Sequence, residues 1–207
     1  MMSFKIDSLF CIALSFLCLS ACSSMDTSKH EIPLVKQDIT INALPICYDH
    51  GCAVISHIQL SQNTWNNIQS LFSVKQLAFE ERLAVRQAIS LLEKEASLHT
   101  PVGIDLPKNT NDIETGRQDC LDESTNTTHF LTLLENNNLL QWHTVGSRVY
   151  RAHFLIDQHY AAQIIHKHTE QRYVVDSWYL ANGELPYIQP YEQWALKKTF
   201  SLIDNPS

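Results

Sequence analysis

No cluster of lysine and arginine appears anywhere in this chain. It carries 15 basic against 22 acidic residues, for a formal net charge of −7. A chain without a basic patch has no electrostatic footprint for nucleic acid, so nucleic acid is not an expected partner. There is no G-x-S-x-G elbow, no phosphate-cradling glycine loop and no dinucleotide fingerprint. Serine-hydrolase, nucleotide-binding and nicotinamide chemistry are thereby left without their usual signatures. Metal-ligand spacing is also missing. The "HKH" at 166–168 puts alternate side chains on one strand face, and His50, His57 and His153 add histidines, but neither matches a zinc pattern. No metal and no cofactor is expected. Internal repeats and low-complexity segments are absent too. What remains is 207 residues, 44% hydrophobic and 18% charged, enough for one well-formed core.

The N-terminus has an apolar run, but a short one. Lys5 precedes "LFCIALSFLCLSA", 13 residues over 9–21. A bilayer span needs about 20, whereas a signal-peptide core needs about 7 to 15. The run ends in "LSAC", residues 19–22, which resembles the lipobox of bacterial lipoproteins. The resemblance implies cleavage before Cys22 and a lipid (palmitate) anchor there; the alternatives are an ordinary signal peptide cut near Ala21 or an uncleaved anchor. Ser23, rather than an aspartate, follows Cys22, and in that sorting pattern this points to the outer membrane, with the protein facing the periplasm. The expected organisation is a signal peptide over 1–21, a membrane tether over 22–45 and one domain over 46–207.

Six cysteines are present: 11, 18, 22, 47, 52 and 120. Cleavage removes two and lipid takes Cys22. Cys47 and Cys52 flank an Asp-His-Gly turn signal in "CYDHGC", which suits a short-loop disulfide in an oxidising compartment or, alternatively, a reduced pair. Cys120 is left alone. An odd thiol in an exported protein is buried and inert, paired between molecules, or reactive.

Along the chain, "CAVISHIQLS" reads as a strand. Ser61 or Thr64 is placed to cap a short helix carrying Trp65, Ile68, Leu71 and Phe72. A second helix, about 77–96, sets Val85, Ala88, Ile89, Leu92 and Ala96 on one face and Glu80, Glu81, Glu93 and Lys94 on a solvated side. Residues 98–117 read as a long loop, of the kind that is often functional. A third helix runs from about Cys120 to Leu134; its Asn126, Thr127 and Thr128 are expected to face a sheet. Strand-like segments follow around 139–145, 150–157, 159–166 and 171–179, then a turn at "ANGE" and a short closing helix opened by Pro190. Helices first and an antiparallel meander after them predict an α+β domain.

A thiolate is favoured at a helix N-terminus, where unpaired N–H groups and the macrodipole attract negative charge. It needs a histidine, and the histidine needs an orienting acid. If the hairpin over 159–176 turns at Lys167-His168, paired residue numbers sum to 335 and His159 lies opposite Asp176 on one sheet face. A turn at Thr169-Glu170 would put Gln163 there instead. The backbone N–H of Cys120 and the side chain of Gln118 are candidate donors for an oxyanion. Gln118 is equally readable as a plain loop residue, His159 as a strand histidine satisfied by backbone, Asp176 as a turn-capping carboxylate and Trp178 as core.

A cysteine opening a helix, a histidine 39 residues on in a strand and an aspartate 17 further in the next strand resemble the transglutaminase-like (papain-like) core. The stretches "DCLDESTNTTHFLTLL", "LLQWH" and "YVVDSWYLANGELP" also resemble a family of exported bacterial lipoproteins. The likeness covers residues 119–179, about a third of the chain. It implies a nucleophile-bearing helix packed on an antiparallel sheet, with Cys120 as nucleophile, His159 as general base and Asp176 as orienting acid. The implied activity is thiol acyl transfer on amide bonds, as a peptidase, an amidase or a transglutaminase. Periplasmic protein or peptidoglycan stem peptide is the expected substrate. A transglutaminase-like module without activity, serving binding or assembly in the envelope, is the alternative.

Overall fold

The computed structural model describes residues 39–73, 77–108, 114–153 and 157–196. The signal peptide, Cys11, Cys18, the lipidation site Cys22 and most of the expected tether lie outside the described residues. Those described belong to one compact unit, Glu31–Ser207. No helix among them is long and apolar enough to cross a membrane.

The chain begins with an antiparallel hairpin, β1 (Leu44–Tyr48) and β2 (Val54–Ile58). Helix α1 (Gln62–Leu71) starts where Ser61 Oγ accepts the Thr64 N–H, an N-cap that satisfies one orphan donor. Helix α2 (Ala78–His99) follows, then a 3-10 turn at Pro101–Ile104. Helix α3 (Cys120–Asn136) leads into a meander of four antiparallel strands in sequential order: β3 (His143–His153), β4 (Asp157–His166), β5 (Arg172–Asp176) and β6 (Tyr187–Pro190). Helix α4 (Tyr191–Ala195) closes the described chain. The fold is α+β. The sequence reading did not separate β6 from the turn before it, and α2 extends into the segment it took for loop.

Helix α3 is the centre of the molecule. It packs on β4 and β3 on one side and on β1 on the other, and every residue from Asp122 to Leu134 is buried. A helix buried all round usually lacks polar residues; this one satisfies them locally. Thr125 and Thr128 donate back to the carbonyls of Leu121 and Ser124, four residues earlier. Asn126 turns to the hairpin, not to the meander: it accepts from the Cys47 N–H at 2.7 Å and donates to the Cys47 carbonyl at 2.8 Å. The main core joins Phe130, Leu131, Leu133 and Leu134 to Val85, Ile89 and Leu92 of α2, Leu44 and Ile46 of β1, and Ala162 and Ile164 of β4. A smaller cluster, Val149, Ala161, Val174 and Trp194, covers the other sheet face beneath α4.

Two acids assigned to the solvated side of α2 are inside. Glu81 is 1% exposed and Glu93 5%. Glu81 accepts the backbone N–H groups of Gln141, Trp142 and His143 and pairs with His143 Nδ1 at 2.8 Å. It thereby fixes the entry into β3.

Candidate active site

Cys120 is the first residue of α3, and the sequence around it explains why the helix starts there. Asp119 is the N-cap: its Oδ1 accepts the N–H groups of Leu121 and Asp122, both at 2.9 Å. Asp122 returns the favour, accepting the Asp119 N–H at 3.1 Å. This is a reciprocal capping box built from two aspartates. The hairpin loop seals the same turn. Cys47 and Cys52 are joined by a disulfide with Cα atoms 4.6 Å apart, and Asp49, His50, Gly51 and Cys52 all have φ between 58° and 65°. Of these four consecutive left-handed residues, the last three turn their N–H groups to the acids at the start of α3. Gly51 N–H donates to Asp119 Oδ2 and Cys52 N–H to Asp122 Oδ1. Asp49 clasps the approach to the helix, accepting from Gly116 N–H and donating its own N–H to the Arg117 carbonyl.

His50, Asp119 and Asp122 bring ligand-type atoms within 4.8 Å of one another, the one such group among the described residues. Four backbone N–H groups beyond the helix's own already occupy or flank these carboxylates. The group is a clasp for the loop.

On the sheet, β4 and β5 pair from Ala162↔Val175 to Ile165↔Arg172, so partner numbers sum to 337. Asp176 therefore falls opposite Ala161, not His159. The register is two off the sum of 335, and an even shift keeps every side chain on its face. His159 is the diagonal neighbour, and the contact forms: His159 Nε2 and Asp176 Oδ2 are 2.8 Å apart. Both groups are buried, His159 completely. A carboxylate can only accept, so with Asp176 in that form the hydrogen of this bond belongs to Nε2. His159 Nδ1 is buried and has no hydrogen-bond partner among the described residues.

Aromatic rings wall the histidine. Trp178 lies 4.7 Å from its ring centroid, Tyr179 5.3 Å and Trp194 5.7 Å. Trp178 is half-buried over the imidazole. Trp194 does more: its Nε1–H donates to Asp176 Oδ2 at 2.8 Å, onto the same oxygen that His159 uses. Arg151, opposite His159 on β3, stacks 4.4 Å over the Trp194 ring and donates to the Trp194 carbonyl and the Tyr179 hydroxyl. Sequence reading missed Trp194, Arg151 and Tyr179. A buried indole needs an acceptor for its N–H, so the tryptophan of the short closing helix was the available signal.

The Cys120 sulfur is half-buried, with the Tyr160 backbone N–H and its own N–H facing it. Burial pushes the thiol up from its ordinary range, the charges of Asp119 and Asp176 add to this, and the two N–H groups oppose it. The histidine's strand neighbour and its acid are thus both felt at the sulfur. Gln118 lies elsewhere: it is 3% exposed, and its Nε2 donates to the Cys47 carbonyl at 3.0 Å. It lines a cavity of about 10 Å³, together with Glu93, Glu123 and Asn126. Glu93 is pushed up to about 7 by burial, and Glu123 well above the carboxylate range by burial and by the neighbouring charge of Glu93.

A bulge in β3 between Gly146 and Val149 turns Arg148 towards α3. Its guanidinium donates to Thr125 Oγ1 at 2.7 Å, in the first turns of α3. No family model matches the chain, and no curated protein or solved structure was found that matches it.

Proposed function

We propose that this chain is an envelope lipoprotein, lipid-anchored through Cys22, whose α+β domain has a transglutaminase-like core and performs thiol acyl transfer on amide bonds. The observation that carries the reading is the buried His159–Asp176 pair, with Nδ1 of the imidazole unpartnered among the described residues, on the strand whose next N–H meets the Cys120 sulfur.

The chemistry follows from the arrangement. The resting thiol is protonated, because burial and two nearby carboxylates disfavour the thiolate. His159 Nδ1 takes the thiol proton as sulfur attacks an amide carbonyl. Asp176 holds Nε2–H and balances the charge the ring then carries. The Cys120 N–H, already at the sulfur, is a donor for the developing oxyanion. Gln118 contributes by holding the hairpin to the helix start. His159 returns its proton to the leaving amine, giving a thioester on Cys120 and a free amine. Water completes a hydrolysis and a second amine completes a transfer.

The test is a thioester. Full-length protein is incubated with peptides of a periplasmic extract and analysed intact. A hydroxylamine-labile mass increase located on Cys120, and absent in Cys120→Ser, is expected. No such adduct, together with an unchanged peptide profile, would favour a binding module over an enzyme. Metabolic labelling with an alkyne analogue of palmitate, abolished by Cys22→Ala, tests the anchor.

A further inference from the structure

Asp176 Oδ2 accepts two N–H groups at once, His159 Nε2 and Trp194 Nε1, each at 2.8 Å. The indole nitrogen is a donor only. Its hydrogen bond favours the carboxylate over the carboxylic acid, and a carboxylate only accepts. The hydrogen between the ring and the carboxylate then sits on Nε2, which leaves Nδ1 with its lone pair bare. Without the indole, Oδ2 could hold a proton and offer it to Nε2, and the imidazole could carry its hydrogen on Nδ1, where it is useless as a base. One further buried carboxyl, that of Glu123, is near enough for its charge and that of Asp176 to act on each other.

We propose that Trp194 is a positioning residue that fixes the tautomer of His159 through Asp176, so that the base exists only when α4 is docked. This rests on the acyl-transfer reading of the site. Trp194 is fully buried, and α4 is held from below by Arg151, which stacks on the indole and bonds the Trp194 carbonyl and Tyr179. Tyr179 in turn packs edge-on against His159. One arginine thus ties the closing helix to the aromatic wall of the base.

Two readouts on the full-length chain separate this proposal from the reading beneath it. The first is the ¹⁵N spectrum of histidine-labelled protein, with His159 identified by its loss in His159→Gln. The wild type is expected to show the Nε2–H tautomer, and Trp194→Phe a mixture in which Nδ1–H appears. The second is the rate of Cys120 alkylation at neutral pH. Losing one hydrogen bond to a charged group predicts a roughly tenfold fall in the His159-dependent part. A Trp194→Phe protein that keeps the Nε2–H tautomer and the wild-type rate overturns the proposal. Should phenylalanine fail to fold, benzothienylalanine at 194 replaces only the N–H with sulfur, and the same two outcomes decide. If His159→Gln leaves Cys120 alkylation unchanged, the acyl-transfer reading fails, whatever the tautomer does.

Discussion

Replacing Glu93 by glutamine should change how stability depends on pH. Glu93 is 5% exposed in the middle of α2. One carboxylate oxygen accepts the Gly183 N–H at 2.8 Å, the Ser177 hydroxyl also bonds the carboxyl, and Oε1 is buried with no hydrogen-bond partner among the described residues. Burial, with Asp105 nearby, pushes the group up from 4.5 to about 7. In the unfolded chain it titrates near 4.5. Between these values the folded protein holds a proton that the unfolded chain has released, so stability falls as pH rises through the window. It is highest below 4.5 and reaches its lower level above 7. At 1.36 kcal/mol per unit the loss is about 3 kcal/mol. Glu123 has the same sign, but its rise is larger and its window reaches further up. The difference between wild type and Glu93→Gln therefore reports Glu93 together with its coupling to Glu123. Urea unfolding at half-unit steps from pH 4.5 to 8, with the disulfide intact, measures it. Glu93→Gln should be the more stable protein at pH 8, and the advantage should vanish towards pH 4.5. Parallel stability curves for the two proteins would refute the reasoning.

Two other perturbations bear on how the start of α3 is held. Gly116 has φ +101°, and a Cβ there would stand 2.3 Å from the Pro101 carbonyl oxygen; Gly116→Ala should cost about 3 kcal/mol in thermal or urea unfolding. The Cys47→Ser/Cys52→Ser double variant opens a loop of sequence separation 5. Chain entropy alone puts its cost at about 2 kcal/mol. The freed left-handed turn should also expose the amides of residues 51 and 52 to hydrogen exchange while β3–β5 stay protected.

Much of the site could be read from pattern because it depends on local rules. The start of α3 at Cys120 follows from Asp119 and Asp122 at capping-box spacing, and the N-cap bonds are made. The shared face of His159 and Asp176 survived a register error because the hairpin slipped by an even count. The pairing of Cys47 with Cys52 followed from a turn signal between two close cysteines. What was illegible depends on distant partners. Glu81 looks like a surface acid until three N–H groups from residues 141–143 converge on it. Asn126 was expected to face a sheet and serves Cys47 of the hairpin; α3 lies between two sheets, and helical periodicity cannot say which sheet covers which side. Gln118 sits two residues from the thiol and turns the other way. Trp194 reaches Asp176 across 18 residues through a helix too short to show a period.

The most direct test of the account is the rate of Cys120 alkylation by iodoacetamide as a function of pH, in full-length wild type and in His159→Ala. The thiol is held up by burial and by Asp119 and Asp176, so it reacts poorly at neutral pH unless His159 takes its proton. The wild type is expected to show a neutral-pH component that disappears in His159→Ala, leaving reactivity displaced above the ordinary thiol range. Superimposable profiles for the two proteins would mean that the histidine does not act on the sulfur, and the catalytic reading would be lost.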